Sequence, residues 1–165
     1  MNQRFIDTWF WVTLIVQTEP FHAQAKEFFN RYSYQGDEFY TSGSVIAETT
    51  NSILFSKNLI KTPEKKLMPQ YAFKFFEDFC GFLNPSNPLR VLTATPAQVT
   101  ETLDLLKTNF RSVTKLSYFD CESVVLCRAN QIPSILTGDS DFDSLGLPMD
   151  EDWKLLMEKP THESL

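Results

Sequence analysis

At 165 residues the chain has the size of a single domain that buries about two-thirds of its unfolded surface, and with 42% hydrophobic residues, including 15 Phe, it is not a disordered chain. Its formal net charge of −6 argues against loose, charge-driven binding to nucleic acid or an anionic membrane. It does not exclude a nucleic-acid enzyme that brings its own cations.

A short apolar run, "RFID" (4–7), comes first and ends in an acid. "TWFWVTLIVQ" (8–17) is apolar on nearly every side and too long for an ordinary strand, which predicts a buried helix. A second helix is expected over 19–34, with Pro20 at its start. "GDEFYTS" (36–42) predicts a second strand. "SVIAETTNSILFS" (44–56) predicts a helix with Val45, Ile46, Thr49 and Ile53 as inward candidates. Residues 57–66 form a polar, lysine-rich connection.

A Phe-rich helix is expected over 64–83, where Phe73, Phe76, Phe79 and Leu83 follow three- and four-residue steps. Phe75 and Phe82 fall off that stripe, which opens a second reading of this face as a groove for a partner helix or a dimer contact. "NPSNP" (84–88) is a turn. "LRVLTAT" (89–95) predicts a third strand, followed by a helix opened by Pro96 (96–110). Another helix covers 117–131 and a fourth strand 133–137. The chain divides into a domain over 1–148 and a C-terminal tail over 149–165 with one last short element, read as a possible strand.

Short strands alternating with helices, and strands with little period-2 pattern, indicate an α/β fold with a mostly parallel sheet covered on both faces. The expectation is a three-layer α/β/α sandwich around a central sheet of 4–5 strands. The three cysteines, Cys80, Cys121 and Cys127, form no C-x-x-C pair and read as reduced thiols packed as small apolar groups. Arg4 and Asp7 interrupt any leader-like pattern, and the apolar stretch 9–16 is too short to span a bilayer. A soluble, cytoplasmic protein with no membrane partner is therefore expected.

In parallel α/β sheets ligands bind at the carboxyl ends of the strands. Asp7 ends the first strand, and Asp139 and Asp141 follow the fourth. Glu48 and Asp120 lie in helices among apolar or small neighbours. Each acid also has a plainer reading. Asp7 can cap the helix that begins at Thr8. Ser117 and Asp120 have capping-box spacing. Glu48 can be a solvated helix residue, and Asp139 and Asp141 turn acids. These alternatives stay open for each residue alone; what sets the acids apart together is their order of strand end, mid-helix, helix start and strand end.

With that order, the sequence resembles the PIN-domain ribonucleases, most closely the VapC-type toxins of toxin–antitoxin pairs. The resemblance runs from Arg4 to about Leu145 and is strongest in "FIDTWFWV", "HAQAKEFF", "FYTSGSVIAETTNSIL" and "LSYFDCESVVLCRANQIPSILTGDSDF". Asp7 matches the family's acid ending the first strand, Glu48 its acid in the helix after the second strand, and Asp120 the acid of an S-[FY]-x-D segment. Thr137, Asp139, Asp141 and Phe142 match its T-x-D-x-D-F segment. One departure stands out: the position two after the first Asp, usually a small hydroxyl residue in the family, is Trp9, while Thr8 keeps a hydroxyl beside it.

The resemblance implies a PIN-like fold and an endoribonuclease leaving 3′-hydroxyl and 5′-phosphate ends, with catalytic residues Asp7, Glu48, Asp120 and Asp139. The chemistry agrees. Clustered carboxylates repel one another unless a cation compensates them. Mg²⁺ or Mn²⁺, one or two ions, suits oxygen ligands, and a pair about 4 Å apart can activate water and stabilise a leaving oxygen. Five acids carry −5; two divalent ions would take the net charge from −6 to −2. Asp7 and Asp120 are the first candidates for direct ligands, Glu48 and Asp139 complete the shell, and Asp141 is a reserve. Thr8 and Thr137 could hydrogen-bond the carboxylates.

Arg111, Lys115 and Arg128 could meet RNA phosphates, with ordinary surface charge as the competing reading. The family further implies an RNA substrate, a cognate antitoxin and a homodimer. Two other readings remain: a PIN-like binding module that cleaves nothing, and a phosphatase of the haloacid dehalogenase type. The phosphatase needs a second Asp two residues after Asp7, where Trp9 stands.

Overall fold

The computed structural model describes residues 2–55, 70–71, 74–75, 77, 79, 89–109 and 116–158. Four strands, β1 (Gln3–Ile6), β2 (Glu38–Ser42), β3 (Leu89–Leu92) and β4 (Ser134–Leu136), form one parallel sheet in the order β3-β2-β1-β4. The register sets Phe5 opposite Tyr40 and Ile135, and Ile6 opposite Leu136. The expected α/β class, with a parallel sheet of four strands flanked by helices, is what the structure shows.

The helices follow the alternation read from the sequence. α1 (Thr8–Ile15) is buried through Phe10, Trp11, Val12, Thr13 and Ile15, because its sequence has no polar face to leave in water. α2 (His22–Tyr34) begins later than expected. Phe21 takes a left-handed conformation, φ 70°, which breaks the helical run after Pro20. α3 (Gly43–Phe55) starts where the Ser42 hydroxyl accepts the Val45 N–H at 3.2 Å. It buries Val45, Thr49 and Ile53, while Ile46 is half-buried.

α4 (Pro96–Asn109) opens on Pro96 with a reciprocal cap between Thr95 and Gln98. α5 (Tyr118–Ala129) opens on Ser117. α6 (Asp141–Ser144) and α7 (Glu151–Met157) close the described chain. The connection at 57–66 and most of the Phe-rich stretch, with Phe73, Phe76, Phe82 and Leu83, lie outside the described residues. Phe75, off the main stripe in the sequence, is fully buried within the chain, its ring 5.8 Å from that of Trp11, as core packing requires and a partner groove at this residue does not.

The last strand expected in the tail is reduced to a single bridge between Met149 and Ile135. The reason is local: Asp150 caps α7 by accepting the Trp153 N–H at 3.2 Å, which turns the chain into a helix. Trp153 is fully buried, edge-on to Phe10 at 4.9 Å and to Phe28 at 5.6 Å. The segment after Pro148 thus completes the same core.

At the amino ends of the strands Arg4 is 1% exposed, yet charged. Its guanidinium bonds Asp150 at 2.8 Å, Asp152 at 3.0 Å and Asp37, and lies 4.2 Å from the Tyr32 ring centroid. A buried cation is tolerated because every side of it meets a carboxylate or an aromatic face.

Candidate active site

The strand order reverses between β1 and β4. The chain passes from β1 through β2 to β3, then crosses back to place β4 on the other side of β1. Right-handed crossovers put the helices of these two excursions on opposite faces. In parallel α/β sheets the ligand crevice lies at the carboxyl ends of the strands at such a reversal, here β1 and β4. Asp7 stands at one wall and the loop 137–141 at the other.

Asp7 is 6% exposed. It caps α1, accepting the Trp9 N–H at Oδ2 over 3.4 Å, and the same oxygen accepts the Thr137 hydroxyl at 2.9 Å. Its own N–H donates to the Leu136 carbonyl at 3.2 Å, which locks the two strand ends together. Burial pushes its carboxyl up to about 7, helped by the negative charges of Asp120 and Glu48 and opposed by the Thr137 bond.

Glu48, on α3, is half-buried and accepts the Thr8 hydroxyl at Oε2 over 2.7 Å. Burial raises its carboxyl, the Thr8 bond opposes that, and the charge of Asp120 adds to it. Asp120 closes the capping box of α5: its Oδ2 accepts the Ser117 N–H at 2.6 Å, and its N–H donates to the Ser117 hydroxyl at 3.2 Å. The capping role and the charge-cluster role coexist. Burial raises Asp120, against its Ser117 bonds, and Asp139 and Asp141 repel it further. Asp139 and Asp141 are at the open side, where Asp139 Oδ1 accepts the Asp141 N–H at 2.9 Å at the start of α6.

The five acids named from the sequence are thus brought into one electrostatic neighbourhood, linked through Asp120. Oxygen donors of this kind suit a hard divalent cation. Yet among the described residues no three Asp, Glu, His or Cys side chains converge into a group that could hold a metal ion as they stand. Thr137, Thr8 and Ser117 each engage one carboxylate, of Asp7, Glu48 and Asp120 respectively. The fit to a cation lies in the donor type and in shared charge.

Not every candidate comes to the crevice. Arg128 sits in the last turn of α5, about 12 Å along the helix from Asp120. Its Nη2 donates to the Leu145 carbonyl at 2.6 Å, which ties α5 to the end of α6. Arg111 and Lys115 lie outside the described residues.

Gly138, beside the crevice, carries a role that sequence reasoning did not assign. A Cβ at Gly138 would stand 2.4 Å from Trp9 Cε2, so the indole lies directly on this glycine. Cys127 is fully buried, and burial with the charge of Asp7 pushes its thiol up. The position of Gly138, between Thr137 and Asp139, was the one available signal, and it reads equally well as an ordinary turn glycine.

No protein-family model and no curated protein matches the sequence. Solved structures do. VapC20 of Mycobacterium tuberculosis, a Sarcin-Ricin loop cleaving toxin, superposes with a TM-score of 0.66 at 19% identity, over 87% of this chain and 95% of that one. The chain shares the α/β, PIN-like fold of VapC20. A chain of VapBC2 from Rickettsia felis, solved on a DNA fragment from its promoter, gives 0.61 at 12% identity, covering 90% of this chain and 97% of that one. PAE2754 of Pyrobaculum aerophilum gives 0.58 at 13% identity, covering 94% of both. The likeness to VapC20 and its companions is one of fold. Among the described residues no helix is long and apolar enough to cross a membrane.

Proposed function

We propose that the chain is a divalent-cation-dependent endoribonuclease of the toxin kind. The observation that carries the proposal is Asp7: buried at the strand-order reversal, with its carboxyl pushed up to about 7 by burial and by the charges of Asp120 and Glu48. A carboxyl poised in this way is unusual for a purely structural residue and common at catalytic sites. That VapC20, of like fold, cleaves the Sarcin-Ricin loop supports RNA as the substrate.

Asp7 and Asp120 would hold the cation, with Glu48 and Asp139 completing its shell and Asp141 in reserve. Mg²⁺ or Mn²⁺, as one ion or two, when bound supplies the positive charge that the phosphodiester and the acids both need. The chain's own residues do the rest. Thr137 and Thr8 fix the rotamers of Asp7 and Glu48. Glu48, its carboxyl raised by burial and held by the Thr8 hydroxyl, would orient the attacking water. An antitoxin partner is supported by the VapBC2 complex, and a homodimer remains part of the same proposal through the family resemblance.

Trp9, at the position where the family resemblance leads one to expect a small hydroxyl residue, favours a second reading, a PIN-like binding module. One experiment separates the two. The purified protein is incubated with total cellular RNA in Mg²⁺ and in EDTA, beside an Asp7→Asn variant. Discrete fragments that require both the cation and Asp7 are expected. No cleavage by folded, cation-supplied protein overturns the enzyme in favour of the binding module.

A further inference from the structure

Three tryptophans lie in the described chain, and they are not equivalent. Trp11 and Trp153 are fully buried, and their indole N–H groups donate to Thr41 Oγ1 at 3.2 Å and to the Thr137 carbonyl at 3.0 Å. Trp9 is half-buried, and its indole N–H has no partner among the described residues. A Trp N–H normally finds an acceptor when it is enclosed. Trp9 presents a donor and part of a ring beside Asp7, whose Oδ2 its backbone N–H meets at 3.4 Å.

The ring is held from three sides. A Cβ at Gly138 would lie 2.4, 2.6 and 2.8 Å from Cε2, Cζ2 and Cδ2, so the indole seats on bare backbone of the loop that carries Asp139. Phe21 and Trp153 are tilted against it at 6.4 and 6.2 Å between centroids. The aromatic is therefore fixed between the two walls of the crevice, at the place where the family resemblance leads one to expect a small hydroxyl residue. A fixed ring surrenders little entropy on contact with a flat ligand, and every nucleobase has a face to offer.

We propose that Trp9 is a nucleobase-contacting, specificity-determining residue, which takes an unstacked base next to the scissile phosphate and so restricts the substrate to single-stranded or loop RNA. This rests on the ribonuclease reading for the place of the phosphate. A phosphate at Asp7 leaves the neighbouring base within reach of a side chain two residues on, and a paired base cannot present its face.

The test uses the intrinsic fluorescence of the full chain. A single-stranded oligoribonucleotide and the same sequence locked in a duplex are titrated with Ca²⁺ in place of Mg²⁺, and KM and kcat are measured with Mg²⁺. Wild type, Trp9→Leu and Trp9→Phe are compared, with thermal melts to verify folding. The single strand should quench wild-type emission and the duplex should not. Trp9→Leu should lose the quenching and raise KM about tenfold with kcat held within about twofold, while Trp9→Phe should restore most of KM. If Trp9→Leu does not fold, Trp9→Phe still decides: quenching should vanish while cleavage of single strands persists. Unquenched wild type that cuts RNA, or Trp9→Leu with wild-type KM, overturns the proposal and leaves the indole to a protein partner. Quenching by single strands without any cleavage keeps the base contact and defeats the nuclease instead.

Discussion

Thr137 Oγ1 donates a 2.9 Å hydrogen bond to Asp7 Oδ2 across 130 residues of sequence. The same hydroxyl accepts the Asp139 N–H at 3.1 Å, and the Thr137 carbonyl accepts the Trp153 indole N–H. One buried residue thus joins the end of β1 and the acidic loop after β4 through its hydroxyl, and the last helix through its main-chain carbonyl. Replacing it by valine keeps the shape and removes the donor. Thr137→Val should raise the Asp7 carboxyl above about 7 and destabilise the fold by about 1–3 kcal/mol, since the Asp139 N–H also loses its acceptor. Carboxyl-carbon NMR titration and urea unfolding check both parts, and Thr137→Ser should restore them.

The position of Asp7 gives stability a pH dependence. Its carboxyl titrates at about 7 in the fold and near 3.9 in an unfolded chain. The folded state therefore binds this proton more tightly. The stabilisation is full below about pH 4 and is lost as pH rises toward and through 7. By linkage the loss reaches about 4 kcal/mol. Asparagine keeps the cap on α1 and carries no charge at any pH. In EDTA at pH 8, Asp7→Asn should be more stable than wild type by a few kcal/mol, and the difference should shrink at pH 5. Urea unfolding at the two pH values measures it.

Trp9 and Gly138 should be coupled. Gly138→Ala drives a methyl into the indole and should destabilise by about 1–3 kcal/mol. A Trp9→Ala background removes these three clashes, and the penalty should fall by more than half. A double-mutant cycle by chemical denaturation reads the coupling directly.

Much of this was visible before any coordinates. The alternation of short apolar runs with longer amphipathic ones predicted every described strand and the longer helices, because parallel strands and crossover helices have different periods. The order Asp7, Glu48, Asp120, Asp139 was legible because each stands at an element end or amid apolar neighbours. What sequence could not tell was contact between distant residues. The indole of Trp9 on Gly138, the burial of Trp153 in a supposed tail and the placement of Phe75 against Trp11 all depend on which faces meet. Arg4 reads as a polar residue at the start of a strand, and nothing local says that Asp37, Asp150 and Asp152 converge on it from 33 to 148 residues away.

That convergence carries its own prediction. Arg4→Met removes the cation and leaves Asp37 and Asp150 buried without it. The expected loss is about 3–5 kcal/mol. Arg4 lies at the amino ends of the strands, away from the crevice, so the folded fraction should keep the proposed RNA cleavage. Pairing Arg4→Met with Asp37→Leu should recover part of the stability. Denaturation midpoints of the single and double variants decide this.

We propose that Asp7, Asp120, Glu48 and Asp139 form one cation site organised by Asp7. Calorimetric titration of Mn²⁺ into wild type and Asp7→Asn at pH 7, in buffers of different ionisation enthalpy, tests it most directly. Wild type should bind Mn²⁺ and release protons, because Asp7 is about half protonated there, and Asp7→Asn should bind at least tenfold more weakly with less proton release. Equal binding by the two proteins, or none by wild type, would contradict the account.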